Sequence, residues 1–203
     1  MSEQVDTENS VERIVREESD GTTMTTIANG GRERDGTPRT LGRWTFEYTP
    51  ARELVKEHMH GRVLNACAGK TKLEYDGEIV RNDLNPDRDA DTNYDVANIA
   101  DYFDSGSFDT IIFDPPFDDT QADDKYDGLH AKDVYAAFRC FNELIRPSET
   151  VITFGWNSWG MKTFSAFERS DVYLLQRGPC LRDVIVTIDY RTTESITDGG
   201  WGE

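Results

Sequence analysis

Residues 63–73 read VLNACAGKTKL, an apolar run that ends in Gly69-Lys70-Thr71. A Gly-Lys-Thr triplet after a strand can close the loop that cradles a nucleotide polyphosphate. That loop needs an earlier glycine, in the spacing GxxxxGK[ST], so that its backbone N–H groups curl around the anion. Leu64 occupies that place. A phosphate loop also opens a helix whose N-terminus faces the anion. Here only residues 71–77, TKLEYDG, precede the next apolar run, and a segment of that length, at about 3.3 Å per residue, just spans a return beside a strand without coiling into a helix. The stretch therefore predicts a strand that ends in a small-residue bend, Asn65-Ala66-Cys67-Ala68-Gly69, suited to a nucleoside without a polyphosphate. A P-loop NTPase using Lys70, Thr71 and Asp114 with magnesium stands as an alternative from another class.

Moving outward, Thr49-Pro50 followed by ARELVKEHMH and Gly61 predicts a short helix: a capping hydroxyl, proline at the first helical position and a glycine stop, with Ala51, Leu54 and Val55 on one face. Apolar or alternating runs at 62–67, 78–82, 93–96, 109–113, 150–154, 171–177 and 183–190 predict strands. Between the fourth and fifth, KDVYAAFRCFNELI places Val134, Ala137, Phe138, Phe141, Leu144 and Ile145 at helical spacing. Gly178-Pro179 joins the last two runs closely enough for an antiparallel pair. The expected fold is α/β, a mostly parallel seven-stranded sheet with an antiparallel last strand, covered by helices in three layers. Residues 1–40, rich in Glu, Asp, Thr, Gly and Arg, predict a disordered arm. Residues 41–192 form the domain and 193–203 a flexible tail.

In a doubly wound sheet a ligand sits outside the carboxyl ends of the strands where their order switches, with small residues in the first turn and an acid after the second strand for ribose hydroxyls. Asp83, in IVRNDLNP, stands at that acid's place, and Asp95, in NYDVANI, follows the third predicted strand, where it would accept from an adenine amino group. The next strand leads straight into Asp114-Pro115-Pro116-Phe117. Two successive prolines fix their φ angles and disfavour helical backbone before them, which gives a stiff turn with outward carbonyls. The Asp114 carboxylate and the Pro115 carbonyl would accept the two hydrogens of an aromatic amine, and Phe117 would stack on its ring. Trp156 and Trp159, after the fifth predicted strand, face the same edge. The polar loop 118–130 lies beside it.

These stretches resemble class I S-adenosylmethionine-dependent methyltransferases: VLNACAGKTKL as motif I, VRNDLNP as motif II, YDVANIADYFDSGSFD as the motif III region and TIIFDPPF as motif IV, together covering about residues 62–117. Asn65 stands where the family usually carries an acid. The resemblance implies S-adenosylmethionine as cofactor, held by Asn65, Ala66, Cys67, Ala68, Gly69, Asp83 and Asp95. It implies catalysis at Asp114, Pro115, Pro116 and Phe117, on an exocyclic amino group of a nucleobase. DNA, at adenine N6 or cytosine N4, is the first expectation and RNA the runner-up. A noncatalytic nucleic-acid-binding protein that retains the fold is a further alternative. If the target base lies in a duplex, it must be flipped out to reach this edge.

The chain has 203 residues, a length that suits one domain, and 39 Asp+Glu against 22 Lys+Arg give a formal net charge of −17. Arg outnumbers Lys by more than two to one. This pattern resembles proteins of salt-loving archaea or their viruses. At molar salt the screening length falls to about 3 Å, so an acidic total does not exclude nucleic acid. Arg32, Arg34, Arg39 and Arg43 could touch phosphates, or be solvated charges only. Cys67, Cys140 and Cys180 are isolated, and His58, His60 and His130 have no ligand spacing, so neither a disulfide framework nor a metal site is expected. No apolar run reaches the roughly 18 residues that cross a bilayer, and no signal-peptide pattern is present. The expectation is a cytoplasmic protein, in the host cytoplasm if viral, with no membrane partner.

Overall fold

Alternation along the apolar runs decides which side chain reaches which layer. A computed structural model describes residues 13–27, 44–116, 134–176 and 182–192, and the strands among them form one eight-stranded sheet. They are β1 (Arg13–Glu17), β2 (Thr23–Ile27), β3 (Val63–Asn65), β4 (Ile79–Arg81), β5 (Phe108–Phe113), β6 (Ile145–Gly155), β7 (Phe167–Leu175) and β8 (Val184–Arg191). Their spatial order is β1-β2-β7-β8-β6-β5-β3-β4. β4, β3, β5 and β6 are parallel neighbours, and β8 is antiparallel to both β6 and β7. The chain moves outward from β3 to β4 and then returns to the other side of β3 as β5. The order therefore switches at β3, and a crevice is expected outside the carboxyl ends of β3 and β5.

The paired row Leu64, Ile111 and Val151 points to one face. There α2 (Val134–Leu144) buries Phe138, Phe141 and Leu144 against it. Val63, Ile112 and Ile152 point to the other face, where α1 (Thr49–His58) packs Ala51, Leu54 and Val55. Each fully buried Leu, Ile, Val or Phe among them is worth about 1.5–3 kcal/mol. Phe113 also meets Phe138 and Phe141 edge-on at 5.9 and 5.0 Å, fixing α2 beside the end of β5. α1 leaves its last turn for β3 through Gly61, at φ 58°. A Cβ at Gly61 would lie 2.3 Å from Asp109 Oδ2, the atom that accepts the Arg62 N–H at 2.6 Å.

The structure corrects four expectations. Residues 13–27 are not part of a disordered arm: β1 and β2 form an antiparallel hairpin, and β2 lies parallel to β7 with Ile27 fully buried. Unpaired backbone on β7 supplies a template that compensates for the hairpin's modest apolar content. The expected strand at 93–96 is absent, replaced by a single bridge between Asn82 and Thr92. The sheet accordingly has eight strands, not seven, in a more mixed arrangement. Finally, Thr49 does not cap α1. Tyr48 holds that position and makes no side-chain capping bond to the helix, while the Thr49 hydroxyl accepts from Arg52 at 3.3 Å. The remainder of the expected arm and the tail at 193–203 lie outside the described residues.

Candidate functional site

Past Asn65 the chain bends under the end of β4, and three backbone bonds set its course. Ala66 N–H donates to the Ile112 carbonyl at 2.9 Å, Asn82 N–H to the Asn65 carbonyl at 2.9 Å, and Ala68 N–H to the Asn82 carbonyl at 2.8 Å. Gly69 then takes φ 56°, a left-handed conformation that suits glycine. Its hydrogen faces the Trp44 ring, which a Cβ would approach to 3.2 Å. Lys70 and Arg88 place their cationic groups 5.7 and 5.3 Å from that same ring. Residues 66–78 contain turns and coil but no helix. The helix N-terminus that a triphosphate loop requires is missing after Thr71, which removes the geometric basis of the P-loop alternative.

Asp83 is buried, and its two oxygens accept backbone N–H groups from Gly69 at 2.8 Å and Asn85 at 3.0 Å. The carboxylate thus ties the first loop to the second, with its remaining lone pairs still able to accept. Arg81 adds a donor to the Gly69 carbonyl at 3.3 Å. Asp95 is half-buried and accepts the Ala97 N–H at 3.0 Å, which shapes the turn into the short helix Ile99–Tyr102. Asp114, buried, follows β5 directly, and Pro115 and Pro116 behind it are half-buried.

Cys67 reports how closely these parts converge. Burial pushes its thiol well above the usual range, and the negative charges of Asp83, Asp114 and Asp95 push it further in the same direction. The carboxylates after β4, before the short helix and after β5 therefore all act on one bend. Asn65 is fully buried on the α1 side of β3, and neither atom of its side-chain amide has a partner. Such a group in a native fold calls for an explanation. It can offer one face with a donor and an acceptor to a ligand.

The sequence reading missed Asn82. Its amide is fully buried, donating to the Ala66 carbonyl at 3.0 Å and the Tyr94 carbonyl at 2.9 Å, and accepting from Tyr94 N–H at 2.9 Å and the Thr92 hydroxyl at 2.8 Å. The side chain takes both main-chain groups of Tyr94 that a strand ladder would use, which is why no third parallel strand forms. A polar residue closing an apolar strand immediately before an acid is the one signal in the sequence that marks it. Phe117 and the loop 118–130 lie outside the described residues. Trp156 is half-buried beneath the Arg182 guanidinium, 4.3 Å from its ring centroid. Among the described residues no group of His, Cys, Asp or Glu could hold a metal ion, and no helix is long and apolar enough to cross a membrane.

A solved structure shares this architecture. The crystal structure of the Burkholderia thailandensis 1,6-didemethyltoxoflavin-N1-methyltransferase, with bound 1,6-didemethyltoxoflavin and S-adenosylhomocysteine, matches 71% of this chain and 77% of its own at 14% identity, with a TM-score of 0.52. A protein from Haemophilus influenzae described as a methylase matches 70% of this chain and 88% of its own at 12% identity and a TM-score of 0.45. No family model and no curated protein matches the sequence. The chain has the mixed α/β fold of S-adenosylmethionine-dependent methyltransferases.

Proposed function

We propose that the chain is an S-adenosylmethionine-dependent N-methyltransferase whose substrate is the exocyclic amino group of a nucleobase, in DNA first, at adenine N6 or cytosine N4, and in RNA as the near alternative. The observation that carries this reading is the convergence of the Asp114-Pro115-Pro116 turn and the Asn65–Gly69 bend on one edge of the sheet, where β3 and β5 are parallel neighbours, Ala66 N–H donates to the Ile112 carbonyl at 2.9 Å and Asp83 accepts the Gly69 N–H at 2.8 Å. The domain would span residues 41–192, with the hairpin at 13–27 attached to its far edge.

The residues fit the cofactor. The unpartnered Asn65 amide offers a donor and an acceptor to its polar tail. Asp83 retains lone pairs for ribose hydroxyls, and Asp95 stands ready for an adenine amino group. Three carboxylates make the bend negative, which complements a sulfonium. When bound, S-adenosylmethionine supplies an electrophilic methyl group on that sulfonium. The protein's part is to position the amine. An amine attached to an aromatic ring is a weak nucleophile because its lone pair is delocalised. Hydrogen bonds from its two hydrogens to the Asp114 carboxylate and the Pro115 carbonyl favour a pyramidal nitrogen with its lone pair directed away from both. Holding reacting atoms in line at contact distance is worth about 7–11 kcal/mol in favourable cases.

The test is to incubate the protein with methyl-labelled cofactor and separate pools of DNA, RNA, protein and small heterocycles, then identify the modified species by mass. Label in N6-methyladenine or N4-methylcytosine of DNA supports the reading. Label confined to protein or to a free heterocycle overturns the nucleic-acid substrate. Calorimetry with S-adenosylhomocysteine separates the noncatalytic alternative, because a site without cofactor affinity cannot transfer the methyl group.

A further inference from the structure

Two large rings stand side by side in solvent. Tyr135 is 47% and Trp159 45% exposed, and their rings meet at 5.3 Å with a tilt of 53°. Tyr135 lies in the first turn of α2. One turn further on, Phe138 packs on Phe113, the residue before Asp114. Trp159 follows β6, and Thr153 of β6 pairs with that same Phe113. The ring pair therefore flanks the Asp114 turn on the α2 side of the sheet. Trp156 is only three residues from Trp159, so their Cα atoms are at most about 11 Å apart. Arg182 sets its charge over the Trp156 ring.

The loop that presents Trp159 is held by a buried polar knot. Arg169 and Asp189 form a two-pronged ion pair at 2.7 and 3.1 Å, with Asp189 wholly buried. The spare Arg169 nitrogen donates to the Ser158 carbonyl at 2.9 Å, and the Thr187 hydroxyl to the Trp159 carbonyl at 3.1 Å. Trp159 N–H closes the loop on Asn157 Oδ1 at 2.9 Å. Gly160 has no freedom to be anything larger, since a Cβ would lie 2.2 Å from Asp189 Oδ2 and 2.5 Å from Thr187 Oγ1. A buried ion pair is a weak stabiliser compared with apolar packing of the same volume. Its specific product here is a fixed loop that keeps an aromatic ring in water.

We infer that Tyr135 and Trp159, with Trp156 and Arg182 beside them, form a stacking platform for the single-stranded nucleic acid that carries the target base, an inference that rests on the nucleobase reading above. The chemistry of the partner follows from charge. A chain with a net charge of −17 repels a polyanion, so binding through many phosphate contacts is disfavoured. Every base has a π face, and stacking on an aromatic side chain is insensitive to sequence and owes nothing to counterion release. The Arg182 guanidinium on Trp156 adds a cation beside the rings.

The experiment measures fluorescence anisotropy of a fluorescein-labelled single-stranded DNA oligonucleotide with the full chain and with Trp159→Ala, Tyr135→Ala and Trp159→Phe. Calorimetry with S-adenosylhomocysteine checks that each variant is folded. Each alanine variant should raise the oligonucleotide Kd by about 10- to 100-fold with cofactor-product binding unchanged, and Trp159→Phe should recover most of the loss. Between about 0.1 and 1 M salt the wild-type Kd should change far less than for a protein that neutralises several phosphates. Full oligonucleotide binding by both alanine variants, or a steep weakening of binding as salt rises, rejects the platform and leaves base methylation standing. A wild-type protein that neither binds the oligonucleotide nor methylates nucleic acid sinks the substrate reading, and the platform with it.

Discussion

Asn82 makes all four hydrogen bonds open to its side chain, in a fully buried place. Asn82→Ala leaves the Ala66 carbonyl and both main-chain groups of Tyr94 short of partners. The expected cost is about 2–4 kcal/mol, read as a lower denaturant midpoint at unchanged m value, with weaker S-adenosylhomocysteine binding because the bend after β3 loses a support. Asp114→Ala should behave in the opposite way, keeping affinity for S-adenosylhomocysteine, which carries no sulfonium, while lowering turnover by about 10²–10⁴-fold. Steady-state rates beside calorimetry separate the two, and unchanged turnover would take Asp114 out of the proposed role. The sequence marks Asp114, Asp83 and Gly69 as candidates because strand, turn and acid follow one another in familiar spacing. Asn82 stayed hidden because a side chain that imitates a peptide group leaves no periodic trace.

At the scale of elements, the central strands and α2 were legible because their apolar runs are long or strictly periodic. The hairpin β1–β2 was not. RIVRE and TMTTI carry little apolar surface of their own, and they are held by docking on β7. Ile27 is the point at which that docking enters the core. Ile27→Ala should cost about 2–5 kcal/mol in equilibrium unfolding, whereas the same change in an unattached arm would cost nothing. A second connection joins the exit of α1 to β6, where His60 pairs with Glu149. Burial is the largest single influence on His60 and pulls its pKa down, yet the hydrogen bonds to Glu149 and the His58 carbonyl, with the charges of Glu149 and Asp109, raise it overall. The folded pKa lies above the unfolded one, so the contribution is complete below about pH 6.5 and is lost as pH rises through the folded value. Melting wild type and His60→Gln side by side should show a gap at pH 6 that closes by pH 9. A gap that widens with pH would reverse the sign and reject the pairing. His58, pushed down by burial, works in the opposite direction and is common to both proteins.

Over the whole molecule, a net charge of −17 on 203 residues means self-repulsion in the folded state. Added potassium chloride should therefore raise the melting temperature through the range where the screening length shrinks from about 10 Å to about 3 Å. A thermal scan that stays flat or falls with salt would show that repulsion does not limit stability. The same repulsion bears on β1, the outermost strand beyond β7. Its five residues end in exposed Arg16 and Glu17. A neighbouring molecule seeking to extend the ladder finds a rung too short to hold it and ionised groups whose hydration it must strip away. The hairpin thus also acts as a terminator of the ladder at this edge of the sheet.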